Sequence, residues 1–436
     1  MDRRKFLAGA GSLAASLRYG SELHAQTNVG GRDSCQVAAY YFGNYHVDAR
    51  NAAAHGPDWT EWNLVKAARP RFAGHRQPRV PLWGYGDESD PVVFEKKIAA
   101  AAHSGIDAFI FDWYWYKDGP FLEAALSDGY LKASNCKDLK FGVMWANHDW
   151  FDIHPAKLAG QPALQFAGAI GAEPFEAMVD RLLQLFQHPS YMMVDGCPYF
   201  SIYELFRFVQ GFGGADGAAA ALDKMRAKAR ALGFPGVHVN AVTWGVKLLP
   251  GQSEISNLPE LLDRLRVDST TSYVWIHHTQ FAKSFTTEYR EIQTQYEAYR
   301  TTAAKALGRP YFPNVTVGWD SSPRACQTDN YRLSDYPFTS VVVNNTPAAF
   351  RAALESARDY AVVNLPADKR LITLNSWNEW TEGSYLEPDT VNRMGYLNAV
   401  RRCLGRPRAA GLRETKEASK SVAYCRYEQL DFSANG

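Results

Sequence analysis

The sequence predicts an α/β fold, a single (β/α)8 TIM barrel with a long loop excursion after strand 1. Two observations predict it. Strand-like and helix-like segments alternate from about residue 34, and polar residues gather directly after the strand-like segments. Strands that alternate with helices form parallel sheets, and eight such repeats over roughly 370 residues favour a closed barrel. The strand candidates are Gln36–Phe42, Ala108–Trp113, Phe141–Ala146, Tyr199–Tyr203, Val237–Val242, Ser272–Ile276, Asn314–Gly318 and Leu371–Asn375.

Helical runs separate these strands. In the first run, Phe94 and Ile98 recur at helical spacing, with Pro91 near the start and Gly105 just beyond the end. An open doubly wound sheet is the alternative, but no GxGxxG or phosphate-binding loop follows any early strand. The clearest helical runs are Pro91–His103, Phe175–Phe186, Ala218–Leu232, Thr287–Leu307 and Thr346–Ala361.

Three regions divide the chain. Residues 1–25 are interpreted as a signal peptide, because Asp2-Arg-Arg-Lys-Phe-Leu7 resembles a twin-arginine motif and is followed by a short apolar stretch. Cleavage after Ala25 would give a periplasmic or secreted protein, and an uncleaved N-terminal anchor is the alternative. Residues 34–404 form the predicted catalytic barrel, with an excursion over Asn44–Asp90, and residues 405–436 a peripheral tail. No later segment is apolar enough for a stable membrane span.

Composition narrows the class of ligand. The net charge of +1 gives no electrostatic reason to expect nucleic acid or an acidic membrane as a partner. The 12 Trp, 23 Tyr and 23 Phe suit neutral, ring-shaped ligands better than anions. The six cysteines include no CxxC pair, so zinc-finger spacing is absent. A disulfide between Cys403 and Cys425 is one possibility, and buried thiols are the other.

Two carboxylates close to the end of the last strand carry the strongest chemical signal. Leu371–Asn375 runs directly into Ser376-Trp-Asn-Glu-Trp-Thr-Glu-Gly383, which places Glu379 and Glu382 three residues apart among tryptophans. Cleavage of a glycosidic bond uses one protonated and one ionised carboxyl group, and aromatic faces bind sugar rings. The pair therefore predicts catalysis on an oligosaccharide or polysaccharide.

Polar and aromatic residues also lie at the ends of the predicted strands or directly after them, at the barrel face where active sites lie. These side chains are candidate substrate-binding residues. They are Asp112, Trp113, Tyr114, Trp145, Asn147, Asp149, Tyr203, Glu204, Tyr273, Trp319, Asp320, Asn378 and Trp380.

Other chemistries find less support in the sequence. The histidines 148, 277 and 278 match no HExxH spacing, so neither a metal nor another cofactor is expected. No GxSxG motif marks a serine nucleophile. Neither a glycine-rich diphosphate loop nor a DxD-like metal pair is evident, which disfavours a nucleotide-sugar transferase.

Three segments resemble the WbsX-type domain, which is related to the endo-α-mannosidases of glycoside hydrolase family 99. They are Asp58-Trp-Thr-Glu-Trp62 with the following Phe72–Pro81, then Trp145-Ala-Asn-His-Asp-Trp150, and Trp377–Pro388. Trp319-Asp-Ser-Ser-Pro-Arg324 also matches, and the order and spacing agree from about residue 38 to 404. Trp62 joins the candidate substrate-binding residues through the first segment.

The resemblance implies a retaining mechanism without an enzymic nucleophile. Glu379 would act as base on the sugar's 2-hydroxyl, whose oxygen displaces the leaving group to give a 1,2-anhydro sugar. Glu382 would protonate the leaving group as the acid, and would then act as the base on the water that opens the 1,2-anhydro ring. An axial 2-hydroxyl, as in α-mannosides or α-rhamnosides, has the required geometry. Family 99 has His where this chain has Thr381. WbsX-type domains are often described as glycosyltransferases, so a transferase and a non-catalytic glycan-binding barrel are the alternatives.

Overall fold

The computed structural model describes residues 34–245, 247–253 and 255–405. The predicted signal peptide, the tail after Gly405 and Cys425 lie outside these residues. The interpretations placed on them, including the Cys403–Cys425 disulfide, therefore stay predictions.

The centre of the molecule is a barrel of parallel strands, which confirms the predicted fold class. The described strands of the barrel are β1 Gln36–Phe42, β2 Ala108–Tyr116, β3 Lys140–Trp145, β4 Cys197–Ile202, β5 His238–Val242, β6 Ser269–Thr271, β7 Tyr311–Phe312, β8 Asn314–Thr316 and β9 Leu371–Asn375.

The strand order closes the barrel. From β1 to β7 each strand pairs with the next along the chain, and β9 pairs with β1 on one side and β8 on the other. Only Pro313 separates β7 from β8, and proline has no N–H for a strand ladder. The two pieces therefore occupy one strand position, at which the barrel closes.

The sixth predicted strand, Ser272–Ile276, is wrong. The strand is Ser269–Thr271, and Trp275–His278 forms a 3-10 turn. The Trp275 backbone N–H donates to Thr316 Oγ1 at 2.9 Å, and its indole N–H donates to the Asn314 carbonyl at 2.9 Å. Trp275 is therefore buried by packing against β8, and it does not extend the sheet.

Helices cover the outside of the barrel, and the five predicted ones are present with ends shifted by up to three residues. Asp90 caps one of them by accepting from the Val92 N–H at 2.9 Å, and Gly105 ends it with φ 90°. No helix of the described residues is long and apolar enough to cross a membrane. The described α-helices are Ala49–His55, Trp62–Ala67, Pro91–Ser104, Ala172–Phe186, Leu205–Gly211, Ala215–Ala231, Leu258–Leu265, Tyr289–Leu307, Pro347–Asn364 and Gly395–Leu404.

The excursion after β1 holds the first two short helices and packs against the loop that follows β9. Its Leu82 N–H donates to the Pro388 carbonyl at 2.8 Å. The remaining described elements are short: strands Gly119–Phe121, Trp150–Phe151, Leu164–Phe166, Met193–Val194, Thr286–Glu288, Val341–Val343, Asn378–Glu379 and Ser384–Tyr385, a π-helical turn at Ala125–Tyr130, and 3-10 turns at Ser322–Arg324, Ala367–Lys369 and Trp380–Glu382.

Candidate active site

A cavity opens at the carboxyl ends of the barrel strands. Seven of the predicted site residues line it, and they come from five strands or the loops after them. The seven are Asp112, Tyr114, Asp149, Tyr203, Tyr273, Glu379 and Glu382.

A tight turn after β9 presents the two glutamates. Glu379 lies in a short antiparallel pair and Glu382 in the 3-10 turn that follows. Gly383 closes the turn with φ 64°, and a Cβ there would come within 2.9 Å of the Asp320 backbone nitrogen. Glycine is the residue that allows the backbone at position 383 to lie this close to Asp320 with a positive φ. The glycine of the motif therefore determines the geometry of the turn.

Arg324 joins the two glutamates through one buried guanidinium group. Its Nη1 donates to Glu382 Oε1 at 2.5 Å, and its Nη2 lies 3.3 Å from Glu379 Oε1. Its Nε donates to Glu61 Oε1 at 2.6 Å, and Glu61 comes from the excursion. Tyr336 adds a hydrogen bond to Glu382 Oε1 at 2.7 Å. The guanidinium fork therefore fixes both carboxylates relative to each other.

Burial dominates the electrostatics of these carboxyl groups. It raises the pKa of Glu379 well above its usual value, the neighbouring Glu382 raises it further, and Arg324 opposes both effects. Burial also raises the pKa of Glu382, against the opposing Arg324 and Tyr336. Burial would raise the pKa of Glu61 too, but Arg324, His154 and Thr381 hold it below its usual value. The site therefore favours a mixture of protonated and ionised carboxyls.

Tyr273 bridges a third carboxyl group to the pair. Its hydroxyl lies 2.7 Å from Asp112 Oδ2 and makes a shorter hydrogen bond to Glu379 Oε2. Burial raises the pKa of Tyr273 well above its usual value, so the phenol is neutral.

A second buried network supports the turn that carries Glu379 and Glu382. Glu387 accepts from the indole N–H of Trp377 at 2.9 Å and from that of Trp380 at 2.7 Å. Lys97 lies 2.8 Å from Glu387 and 2.5 Å from Glu88. The network fixes both tryptophans that flank Glu379.

Two predicted tryptophans point away from the cavity because side chains alternate along a strand. In β2, Asp112 and Tyr114 line the cavity, so Trp113 between them faces outwards and donates to Glu123 at 3.3 Å. In β3, Met144 lines the cavity, and the following Trp145 packs on helical phenylalanines. These two side chains are outward-facing core residues.

The other seven predicted residues lie outside the described lining of the cavity. Trp62 packs on Trp380, whose ring stacks on Tyr385 at 3.7 Å. Asn147 bonds the backbone of Glu204 in both directions at 2.8 Å. The rest are Trp319, bonded to Thr339; Asp320, bonded to His75 and Gln77; and Asn378, bonded to the Phe42 backbone and Glu88.

Several residues that line the cavity are not among the predicted substrate-binding residues. Arg324 was visible as part of the Trp-Asp-Ser-Ser-Pro-Arg motif, but its contacts cross 263 positions to reach Glu61. Within the described residues, no group of three or more His, Cys, Asp or Glu is arranged to hold a metal ion. The omitted lining residues include Arg324, His148, Trp150, His154, His277 and Leu248–Pro250.

Comparisons with known proteins agree with this architecture. The chain is similar to the endo-α-mannosidase of family 99 from Bacteroides thetaiotaomicron, with a TM-score of 0.51 and 13% identity over 89% of this chain and 98% of that one. A solved structure described as a glycoside hydrolase-like protein gives a TM-score of 0.53 at 14% identity, over 86% of this chain and 95% of that one. At these identities the likeness shows a shared fold.

Sequence relatives give the family. Two strains of Xanthomonas campestris pv. campestris have a protein called Uncharacterized protein WxcX, which is 26% identical over 374 residues, or 85% of this chain. The chain spans about half the length of these relatives, with 50% covered. The family model described as Glycosyltransferase WbsX matches residues 37–400. The chain therefore belongs to the WbsX family, as its motifs predict.

Proposed function

We propose that this protein is a retaining glycoside hydrolase that cleaves α-mannoside-like linkages, with an axial 2-hydroxyl, in a glycan or polysaccharide. The observation that carries the proposal is the placement of Glu379 and Glu382 in one cavity at the carboxyl end of the barrel, both bonded to Arg324. Tyr114, Trp150 and Tyr203 line the same cavity and offer aromatic surfaces to a sugar ring.

The proposed reaction has two steps. Glu379 takes the proton of the 2-hydroxyl while O2 attacks the anomeric carbon, and Glu382 protonates the leaving oxygen as its bond breaks. This gives a 1,2-anhydro sugar. Glu382 then deprotonates a water that opens this ring at the anomeric carbon, and Glu379 returns its proton to O2. Two inversions give net retention.

The two roles require different protonation states. Glu382 must carry a proton to act as an acid, and burial raises its pKa. Glu379 must be ionised to act as a base; burial and the neighbouring Glu382 raise its pKa well above its usual value, and Arg324 and the hydrogen bond from Tyr273 favour its charged form against that shift. Proton transfer of this kind contributes about 10²–10⁴-fold to the rate.

Glycosyl transfer is the second candidate, because the family is described as a glycosyltransferase. Such a reaction would need an activated sugar donor. The proposed export of the protein, which rests on Asp2–Leu7, disfavours it, because nucleotide sugars are cytoplasmic. Export is tested by locating the full chain and a variant with Arg3→Lys and Arg4→Lys, which should remain in the cytoplasm.

The experiment compares the purified protein with Glu379→Gln and Glu382→Gln on α-mannosides, α-rhamnosides, envelope polysaccharides and nucleotide-sugar donors. Glu173→Gln, an exposed change on an outer helix, is the control. We expect release of sugar by the protein and its control and a loss of about 10²–10⁴-fold in both test variants. Equal inertness of all four proteins on every glycoside would contradict hydrolysis, and turnover only with nucleotide sugars would favour transfer.

A further inference from the structure

Asp112 is a buried carboxyl group that the proposed reaction does not use. It is 5% exposed and lines the cavity. Its Oδ2 contacts the Tyr273 hydroxyl, and its Oδ1 is buried without a hydrogen-bond partner among the described residues. An ionised carboxylate in this position would leave a charged oxygen without solvation, which is costly.

The Tyr273 hydroxyl has one proton but contacts two carboxyl oxygens. It can donate that proton to Asp112 or to Glu379, but not to both. The carboxyl that receives no proton from Tyr273 must instead donate one to the phenol oxygen, or two lone pairs would face each other. One of the two carboxyls is therefore protonated in the resting site.

The surrounding charges decide which carboxyl holds the proton. Arg324 contacts Glu379 at 3.3 Å, whereas Asp112 has no ion pair within the described chain. Burial raises the pKa of Asp112 well above its usual value and Glu382 adds to this, whereas the hydrogen bond with Tyr273 and the charge of Arg324 oppose it. Besides Tyr273 and Glu379, the ionisable groups that face Asp112 are Tyr40, Tyr114, Tyr203, Arg324 and Glu382.

We propose that Asp112 is a protonated carboxyl group that donates to Tyr273, so that Tyr273 donates to Glu379 and keeps this base ionised. Asp112 is then a positioning residue for Glu379, and its free Oδ1 can accept a hydrogen bond from a substrate hydroxyl. A neutral acid acting as a donor at pH 7 is a known use of a buried carboxyl. The role in catalysis rests on the proposed function, whereas the protonation state does not.

Infrared spectroscopy of the resting protein tests the protonation state without a substrate. Wild-type protein at pH 7, labelled with ¹³C at the aspartate carboxyls, should show a protonated-acid C=O band that shifts with the label. The band should be missing in Asp112→Asn. If labelling aspartate moves no such band, or if Glu379→Gln alone removes it, the proposal is overturned. The labelled wild type keeps the test valid if a variant does not fold.

The pH profile of kcat/KM tests the positioning role once a substrate is found. Asp112→Asn keeps an N–H donor for Tyr273, so we expect the acid limb of the profile to stay at the wild-type pH, whatever the change in kcat. If Asp112 is ionised instead, removing its charge next to Glu379 would move that limb to lower pH by about one unit or more. A failure to find any substrate would count against the proposed function but leave the infrared result in place.

Discussion

Arg324 is the cation that holds the candidate catalytic carboxyls. One guanidinium contacts Glu61, Glu379 and Glu382, and each of these side chains is at least nine-tenths buried. Removing one partner of a buried ion pair leaves the others uncompensated, which costs about 3–5 kcal/mol. The turn after β9 therefore depends for its geometry on a residue from the seventh strand position.

Arg324→Lys should keep the charge but lose the planar fork that spans three carboxylates. We expect kcat to fall by about 10²-fold and the melting temperature to fall as well. Steady-state kinetics and calorimetry measure the two effects. Arg332→Lys, an exposed change in the same region, is the matched control. Wild-type kcat in Arg324→Lys would show that the fork does not position the glutamates.

Individual strands show how far the sequence predicts the structure. β1 and β9 begin and end as predicted, because each is a short, buried apolar run bounded by polar residues. The prediction of the sixth strand is wrong because Trp275 is buried in a 3-10 turn, where its indole N–H bonds to the backbone of Asn314. Composition does not distinguish a buried strand from a buried turn. The motif gave Glu379 and Glu382, and the structure places them in one cavity.

The phase of alternation explains why some tryptophans were assigned to the site. Trp113 and Trp145 lie near the predicted carboxyl ends of their strands, where site residues are expected, but each is one residue out of phase with a cavity-lining neighbour. Counting in steps of two from Asp112 would have separated Tyr114 from Trp113. Counting along strands cannot identify Glu61 or Lys97, because neither lies in a barrel strand. Each contacts its partners only when the excursion and the helix after it pack against the barrel.

Through Lys97, the helix Pro91–Ser104 supports the turn that carries Glu379 and Glu382. Lys97→Met leaves Glu88 and Glu387 without their buried cation. We expect the free energy of unfolding to fall by about 3–5 kcal/mol, together with a lower kcat, because Glu387 holds Trp377 and Trp380.

Denaturant unfolding checks this change. The control is Lys96→Met, which alters an exposed neighbour on the same helix. A Lys97→Met protein as stable as its control would mean that the buried network contributes nothing to the fold.

At the scale of the whole molecule, the buried ionisable groups set the pH range of stability. Burial lowers the pKa of His154 and of His277 to about 3, whereas histidine in an unfolded chain titrates near about 6.5. Below pH 6.5 these two histidines are protonated in the unfolded chain but stay neutral in the folded barrel, which favours unfolding. Carboxyl groups whose pKa is raised by burial oppose this effect, because the folded state binds their protons before the unfolded chain does. Below about pH 4.5 both states bind these protons and the opposition ends. We therefore expect the free energy of unfolding to fall as pH falls from 4.5 to 3. Denaturant unfolding at a series of pH values measures it, and a constant free energy there would contradict these pKa values.

At higher pH the dependence of stability on pH has the opposite sign, because stability then falls as pH rises. Burial raises the pKa of Glu204 to about 8, so the folded state keeps a proton that the unfolded chain has lost above about pH 4.5. Its contribution to stability therefore declines as pH rises, at up to about 1.4 kcal/mol per pH unit, until pH 8 is passed. Glu204→Gln should flatten the decline between pH 6.5 and 8, whereas the exposed Glu173→Gln should leave it unchanged. Identical slopes in all three proteins would show that Glu204 does not hold this proton.

The proposed reaction requires that the sugar's own O2 attacks the anomeric carbon when Glu379 removes its proton. The most direct test uses NMR to follow the protein acting on an α-mannoside and on the same compound with a 2-O-methyl group. We predict that the first product released from the parent compound has the α configuration and that the methylated compound is not cleaved. A β product, or cleavage of both compounds at similar rates, would contradict the account.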